Sequence, residues 1–299
     1  MSADPRRLPD KRAVRKALQS AAATYDDAAF LEREVVNRMF ERLEYIKLKP
    51  KRIADVGCRT GYGTRKLAAH YAESEIIAID TAPAMLSMAQ SKHPWWKRKL
   101  PFLQMSSQHC LCADAESLPI ANTSIDFVWS NLALQWCDPL RSTTEAYRVL
   151  STGGLFMFTT LGPDTLKELR SAFSGIDAYE HVNQFIDMHD IGDTLVHAGF
   201  ADPVMDMEVI TVTFDDLRAM VRDLKSLGAT NHLLGRNPGL TTPRRWQKVN
   251  EHYDAFRQNG KLPVTIEVVY GHAWKPQPKS LEDGRQIIQF RDFPRRRNL

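Results

Sequence analysis

Between residues 52 and 161, short apolar runs alternate with stretches of helical periodicity, and few folds accommodate that rhythm. The runs are RIADVG, EIIAID (75–80), HCLCAD (109–114), SIDFVWS (124–130) and GGLFMFTT (153–160), with GTRKLAAHYA, APAMLSMAQSK and LRSTTEAYRVL between them. Such alternation predicts a parallel sheet with helices on both faces. Right-handed crossovers bring the turns that follow the strands to one edge of the sheet, where open α/β folds bind ligands.

After residue 161 the rhythm changes. FIDMHDIGDTLVHAGF reads as a helix ending at Gly199, MEVITVTF (207–214) as a strand, and VTIEVVYGHAW (264–274) as a last strand. Residues 215–262 hold two helical patterns, one opening at Pro243 and closing at Gly260. They are expected to form a helical insertion that closes over the ligand edge as a lid. The folded body is expected to span residues 21–275, between basic tails at 1–20 and 276–299.

The charge supports that division. The net +4 of the chain is unevenly placed: residues 1–20 carry +4 and residues 276–299 carry +3, which leaves the body at −3. A body of that sign argues against nucleic acid as an obligate partner. No apolar run approaches the ~18 residues of a membrane span, and the first twenty residues lack the hydrophobic stretch of a secretory signal, so a soluble, cytoplasmic protein is expected. Cys58, Cys110, Cys112 and Cys137 form no CxxC pair; they read as reduced structural thiols, with Cys110 and Cys112 pointing into the core, and no metal is expected.

The turn after the first strand, DVGCRTG (55–61), is the first candidate site. Gly57 and Gly61 permit backbone to approach a cofactor, and the next helix offers unpaired N–H groups. The spacing matches neither GxGxxG nor a P-loop. Asp80 ends the second strand, where a carboxylate can accept bonds from both hydroxyls of a ribose. Asp114 and Ala115 follow the third strand, with Asp114 suited to an exocyclic amine. Asn131, Gln135 and Trp136, in SNLALQW, border the expected reacting centre, Trp136 as a wall.

As a set, residues 53–161 resemble the class I S-adenosylmethionine-dependent methyltransferases, whose first strand ends in D-x-G-x-G-x-G and whose next two strands are each followed by an acid. A narrower resemblance is carried by AAATYDDAAFLEREV, SNLALQW, TLGPDTLKELR, HVNQFIDMHDIG and GHAW. Across most of residues 20–274 the chain is similar to the malonyl-[acyl-carrier protein] O-methyltransferases of biotin synthesis. The resemblance implies a mostly parallel Rossmann-like sheet with one antiparallel strand. It also implies methyl transfer from S-adenosylmethionine to the free carboxylate of a malonyl thioester on acyl-carrier protein. Asp55, Gly57, Gly61, Asp80, Asp114, Ala115, Asn131 and Gln135 would hold the cofactor, and Tyr25 would cap it and touch the acceptor.

Methyl transfer to a carboxylate needs no general base, because the nucleophile is already ionised at neutral pH. It does need a cationic or hydrogen-bonding seat for the acceptor, and Arg141, Arg218, Arg222, Arg244 and Arg245 are all open to that role. His181 and His189 read as capping or packing residues, with contact with the acceptor as the alternative. WWKRK (95–99) is a candidate contact for an acidic carrier, with a surface loop over a partly buried Trp as the alternative. The departure from the family pattern is Arg59, where glycine is expected. Either it turns outward, towards the methionyl carboxylate, or cofactor affinity falls; the filling of every other expected position favours the first. Rival readings are a methyltransferase of another acid, a methyltransferase-like arginine hydroxylase, and a non-catalytic protein with a degenerate cofactor loop.

Overall fold

The computed structural model describes residues 9–92, 107–237 and 239–277. WWKRK and the C-terminal segment beyond Gln277 lie outside them. In chain order the elements are α1 (Lys11–Ala21), α2 (Tyr25–Ala28), α3 (Phe30–Leu43), β1 (Arg52–Val56), α4 (Tyr62–His70), β2 (Glu75–Asp80), α5 (Pro83–Ser91), β3 (Ser107–Cys112), β4 (Ile125–Ser130), α6 (Pro139–Val149), β5 (Leu150–Leu161), α7 (Lys167–Phe173), α8 (Met188–Ala198), β6 (Ala201–Phe214), α9 (Leu217–Ser226), α10 (Pro243–Asp254) and β7 (Leu262–Trp274).

The strands form one sheet in the order β3-β2-β1-β4-β5-β7-β6. The first five pair in parallel, and β7 runs antiparallel to both of its neighbours. Strand order reverses at β1, so the crevice beyond the carboxyl ends of β1 and β4 is the switch point at which such sheets take ligands. At the central strands both faces are buried, successive residues pointing to opposite sides. Ile53, Phe127, Trp129, Leu155, Met157 and Val268 join one core with α3, α4, α9 and α10. Their neighbours Ala54, Val128, Phe156, Phe158 and Val269 join the other, against α6 and α8.

Residues 11–20, expected within a basic tail, belong instead to the helix α1. Asp10 caps it, accepting from the Arg12 and Ala13 N–H groups, and Val14, Leu18 and Ala21 form its buried stripe. This stripe packs with Tyr25, Met85 and Trp136 over the ligand edge. The N-terminal segment is also tied to the 215–262 insertion: Asp10 N donates to the His232 carbonyl at 2.7 Å, and Arg236 pairs with Asp10 at 3.2 Å.

Two smaller expectations are corrected. Gly260 does not end the helix that opens at Pro243; that helix stops at Asp254, and Gly260, at φ +78°, serves a tight turn in which Gln258 and Lys261 exchange backbone bonds. Cys112 is exposed and Cys110 half-buried, because β3 is an edge strand and its alternating face is not covered as a central strand's is. The cysteines form no disulfide among the described residues.

Candidate active site

Three cavities meet beyond the carboxyl ends of β1, β2 and β4, and Arg59 lines all three. One, of about 30 Å³, lies over Asp55, Gly57, Thr60 and Asn131. A second, of about 40 Å³, lies over Gly57, Asp80, Asp114, Ala115 and Trp136. The third, of about 240 Å³, is bounded mainly by apolar side chains of α7, α9, α10 and the loops between them, with Tyr25, Glu32 and Gln135 at its inner end.

The loop that separates the two small cavities has an unusual backbone. Gly57, Arg59 and Gly61 all sit at positive φ, at +79°, +51° and +77°. Alternating left-handed residues fold the chain tightly at the end of β1, and the Gly57 and Cys58 N–H groups donate to the Ile79 carbonyl at 2.8 and 2.9 Å. A side chain at Gly57 would meet the Ala133 Cβ at 2.3 Å. Gly61 stands one step back, against Ala89, as the residue preceding α4.

Asp80 is fully buried, and Arg59 is turned onto it. The Arg59 backbone N–H and its guanidinium both donate to Asp80 Oδ2 at 3.1 Å, with the arginine side chain 12% exposed. The outward turn expected of Arg59 is therefore not the arrangement found. An inward carboxylate within reach and little water nearby favour the ion pair over the surface. Asp80 Oδ1 also accepts from Ala82 N at 2.9 Å, which fixes the carboxylate at the start of α5.

The other expected residues are spread over the same edge. Asp55 accepts from the Thr64 hydroxyl at 2.5 Å; burial first, and the Asp80 charge second, raise its pKa to about 7. Asp114 binds the Lys11 ammonium at 2.9 Å. With Glu116 and Cys137 it makes a cluster of metal-binding atom types, but Lys11, 2.6 Å from Glu116, already supplies the cation there. Asn131 donates to the Glu32 carbonyl and accepts from the Thr159 hydroxyl. Gln135 donates to Leu132, while its Oε1 is buried without a partner. Trp136 lines both the 40 and the 240 Å³ cavities.

Tyr25 is buried and lies between the 30 and 240 Å³ cavities. Burial raises the pKa of its phenol far above the ordinary value, so it can donate a hydrogen bond throughout the neutral range. His181 lines the large cavity but is held by Asp177 at 2.7 Å and stacked on Phe173, and His189 is exposed beside Asp187. Arg141 pairs with Glu116 and Arg245 with Asp177, and the five arginines weighed for the carboxylate seat do not line this cavity.

Sequence reasoning missed Lys11, Glu32 and Asn183. The first was legible in the i, i+4, i+7 stripe of residues 14–21; the other two gave no local signal. Glu32 Oε2, Gln135 Oε1 and Asn183 Oδ1 are buried polar atoms without partners at the walls of these cavities, as expected where a polar ligand completes the bonding. The residues present fit an adenosyl cofactor: a glycine turn that a Cβ would fill, a carboxylate at the end of β2, and orphaned polar atoms where a charged ligand would lie.

Glu32 also makes a pH prediction. Burial raises its pKa to about 7 from an ordinary 4.5. Between those values the unfolded chain releases the proton and the folded chain retains it, so stability falls as pH rises from 4.5 towards 7 and then levels. The shift corresponds to about 3 kcal/mol at most. In urea titrations from pH 5 to 8, Glu32→Gln should match the native chain near pH 5 and exceed its stability at pH 8. Parallel curves would contradict the assignment.

A family model described as a methyltransferase domain matches residues 54–158. The chain is similar to the YcgJ protein of Bacillus subtilis, with a TM-score of 0.57 and 16% identity over 82% of this chain and 99% of that one. It is also similar to the Haemonchus contortus phosphoethanolamine N-methyltransferase 2 solved with S-adenosyl-L-methionine, with a TM-score of 0.51 and 13% identity over 88% of this chain and 60% of that one. At those identities the likeness concerns the fold. Closer in sequence are the malonyl-[acyl-carrier protein] O-methyltransferases of Gallionella capsiferriformans, 52% identical over 94% of this chain and 96% of that protein, and Laribacter hongkongensis, 51% identical over the same shares. With half its residues shared over nearly its whole length, the chain belongs to the malonyl-[acyl-carrier protein] O-methyltransferase family.

Proposed function

We propose that the chain transfers a methyl group from S-adenosylmethionine to the free carboxylate of a malonyl thioester on acyl-carrier protein, an early step of biotin synthesis. The observation that carries this reading is the 240 Å³ apolar cavity, which meets the cofactor crevice at Tyr25 and Glu32. S-adenosylmethionine is the methyl donor, and when bound it supplies an electrophilic methyl on a positively charged sulfur. Asp80 would take the ribose hydroxyls, Asp114 the adenine edge, and the Gly57 turn and Asn131 the methionyl end.

The chain's own part is positional. An acceptor carboxylate enclosed by apolar walls is stripped of water, and holding its oxygen in line with the methyl converts a bimolecular encounter into a local one. With the cofactor bound, the acceptor oxygen would take the methyl and the sulfur would keep the electron pair of the carbon–sulfur bond. No proton moves. Residues 215–262, with α1, serve as the lid, and the acyl carrier delivers its malonyl arm beneath it. A carrier-bound acceptor implies a cytoplasmic location; no helix among the described residues is long and apolar enough to cross a membrane.

Mass spectrometry of malonyl-acyl-carrier protein incubated with the chain and S-adenosylmethionine should show one added methyl on the malonyl group. A gain on another carboxylic acid, with none on malonyl, would move the assignment to a different acceptor. Tyr25→Phe keeps the ring and removes the hydroxyl donor. One such bond to a charged group is worth about 1.5 kcal/mol or more, so kcat should fall roughly tenfold. An unchanged kcat would leave Tyr25 a packing residue.

A further inference from the structure

Arg59 is unexplained by the fold. A left-handed backbone is unfavourable for an L-residue, and the glycines at 57 and 61 show what the turn prefers. A strained residue persists where its surroundings hold it in place, and such positions cluster at functional sites. Its setting supplies the function. Arg59 reaches the Asp80 carboxylate on one side, stands beside the Tyr25 phenol on the other, and lines the 240 Å³ cavity.

That cavity must hold an anion if the reading above is correct, and this inference rests on that reading. Its walls are mainly apolar, with Asn183, Thr230 and Asn231 as uncharged polar groups and Glu32 as an acid. Among the described residues that line it, Arg59 is the one lysine or arginine; the imidazole of His181 is already engaged by Asp177. A guanidinium offers five fixed donors that match a carboxylate in a two-bond fork. The cavity over Thr60 and Asn131, at the methionyl end, has a second cation in Arg33. The acceptor cavity has no such alternative.

We propose that Arg59 is the seat of the acceptor carboxylate, and that it is released for this role when the cofactor takes Asp80. Before binding, its guanidinium is parked on the oxygen that a ribose hydroxyl would use. Ribose and guanidinium compete for one carboxylate, so occupation of Asp80 by the cofactor frees the arginine to turn towards the large cavity. Cofactor binding therefore favours acceptor binding, and by linkage the acceptor favours the cofactor.

Arg59→Gly and Arg59→Lys separate this role from others. Glycine relieves the left-handed strain at this position but leaves the buried Asp80 carboxylate without its cation, so the first variant should still fold, with a lower Tm that S-adenosylhomocysteine raises. By calorimetry its affinity for S-adenosylhomocysteine should be no weaker than native, because a competitor for Asp80 is gone. Its KM for malonyl-acyl-carrier protein should rise at least tenfold, and Arg59→Lys should recover part of that loss. In the native chain, malonyl-acyl-carrier protein should bind more tightly when S-adenosylhomocysteine is present. An acceptor KM within twofold of native in Arg59→Gly would overturn the proposal, as would a tenfold loss of cofactor affinity with the KM intact. A native chain that never methylates malonyl overturns the reading beneath it, whereas a native chain that methylates while Arg59→Gly is unimpaired overturns this inference alone.

Discussion

Replacing Asp80 with alanine should weaken S-adenosylhomocysteine binding by roughly a hundredfold and also destabilise the free chain, for separable reasons. A carboxylate accepting two ribose hydroxyls makes two charge-assisted bonds, each worth about 1.5–3 kcal/mol, and about 3 kcal/mol corresponds to two orders of magnitude in affinity. The stability loss comes from Arg59. Without Asp80 a largely buried guanidinium has lost its carboxylate, a change that in buried pairs costs about 3–5 kcal/mol. The Ala82 N–H that Asp80 accepts at the start of α5 is orphaned as well. The double variant Asp80→Ala, Arg59→Gly should regain most of the stability, because no unpaired cation remains, and none of the affinity. Calorimetry and thermal unfolding on the same samples decide it. If the double variant binds cofactor like the native chain, Asp80 is not the ribose acid.

The sheet was legible because its signal is local. Each central strand is a short apolar run bounded by turn residues, and both faces are buried, so Ile53–Ala54 or Leu155–Phe156–Met157–Phe158 needed no alternation to be read as strand. The lone antiparallel strand followed from the resemblance rather than from periodicity. Asp80 and Asp114 could be placed at the ligand edge, where both line a cavity, because a residue at the end of a parallel strand has only one edge to face. Helix α1 was not found, since its four basic residues obscured a three-residue stripe whose partners, Met85 and Trp136, lie far along the chain. Cys112 was assigned to the core on a strand's two-residue period, which says which residues share a face but not whether anything covers that face.

Arg59 shows a different limit. The sequence shows that a glycine position holds an arginine, but the direction of a long side chain depends on the charges around it. Asp80, 21 residues away, decides it across two strands. The carboxylate seat is hidden in the same way: the arginines of α6 and of the insertion do not line the large cavity, and a loop residue of the cofactor turn is not an obvious acceptor contact. Only the meeting of three cavities at one residue makes Arg59 a candidate.

The second large effect is expected at Gly57. A Cβ there would stand 2.3 Å from the Ala133 Cβ, closer than unbonded carbons approach, so the turn or the segment after β4 must move. The residue also sits at φ +79°, which adds the left-handed penalty of roughly 1–2 kcal/mol. Gly57→Ala should therefore lose about 3 kcal/mol, a fall in Tm of roughly 6–12 °C for a chain of this size. Cofactor affinity should drop beyond measurement, since Gly57 backs both small cavities and Ala133 bounds one of them. Gly61→Ala is the control. It carries the same kind of backbone strain, at φ +77°, but its Cβ would meet Ala89 at 3.0 Å, behind the site. Its Tm should fall by a few degrees while S-adenosylhomocysteine still binds within about tenfold of native, because strain without intrusion leaves the crevice open. If the two variants lose affinity equally, rigidity of the whole turn holds the cofactor; if only Gly57→Ala loses it, the close approach of backbone at that one residue does.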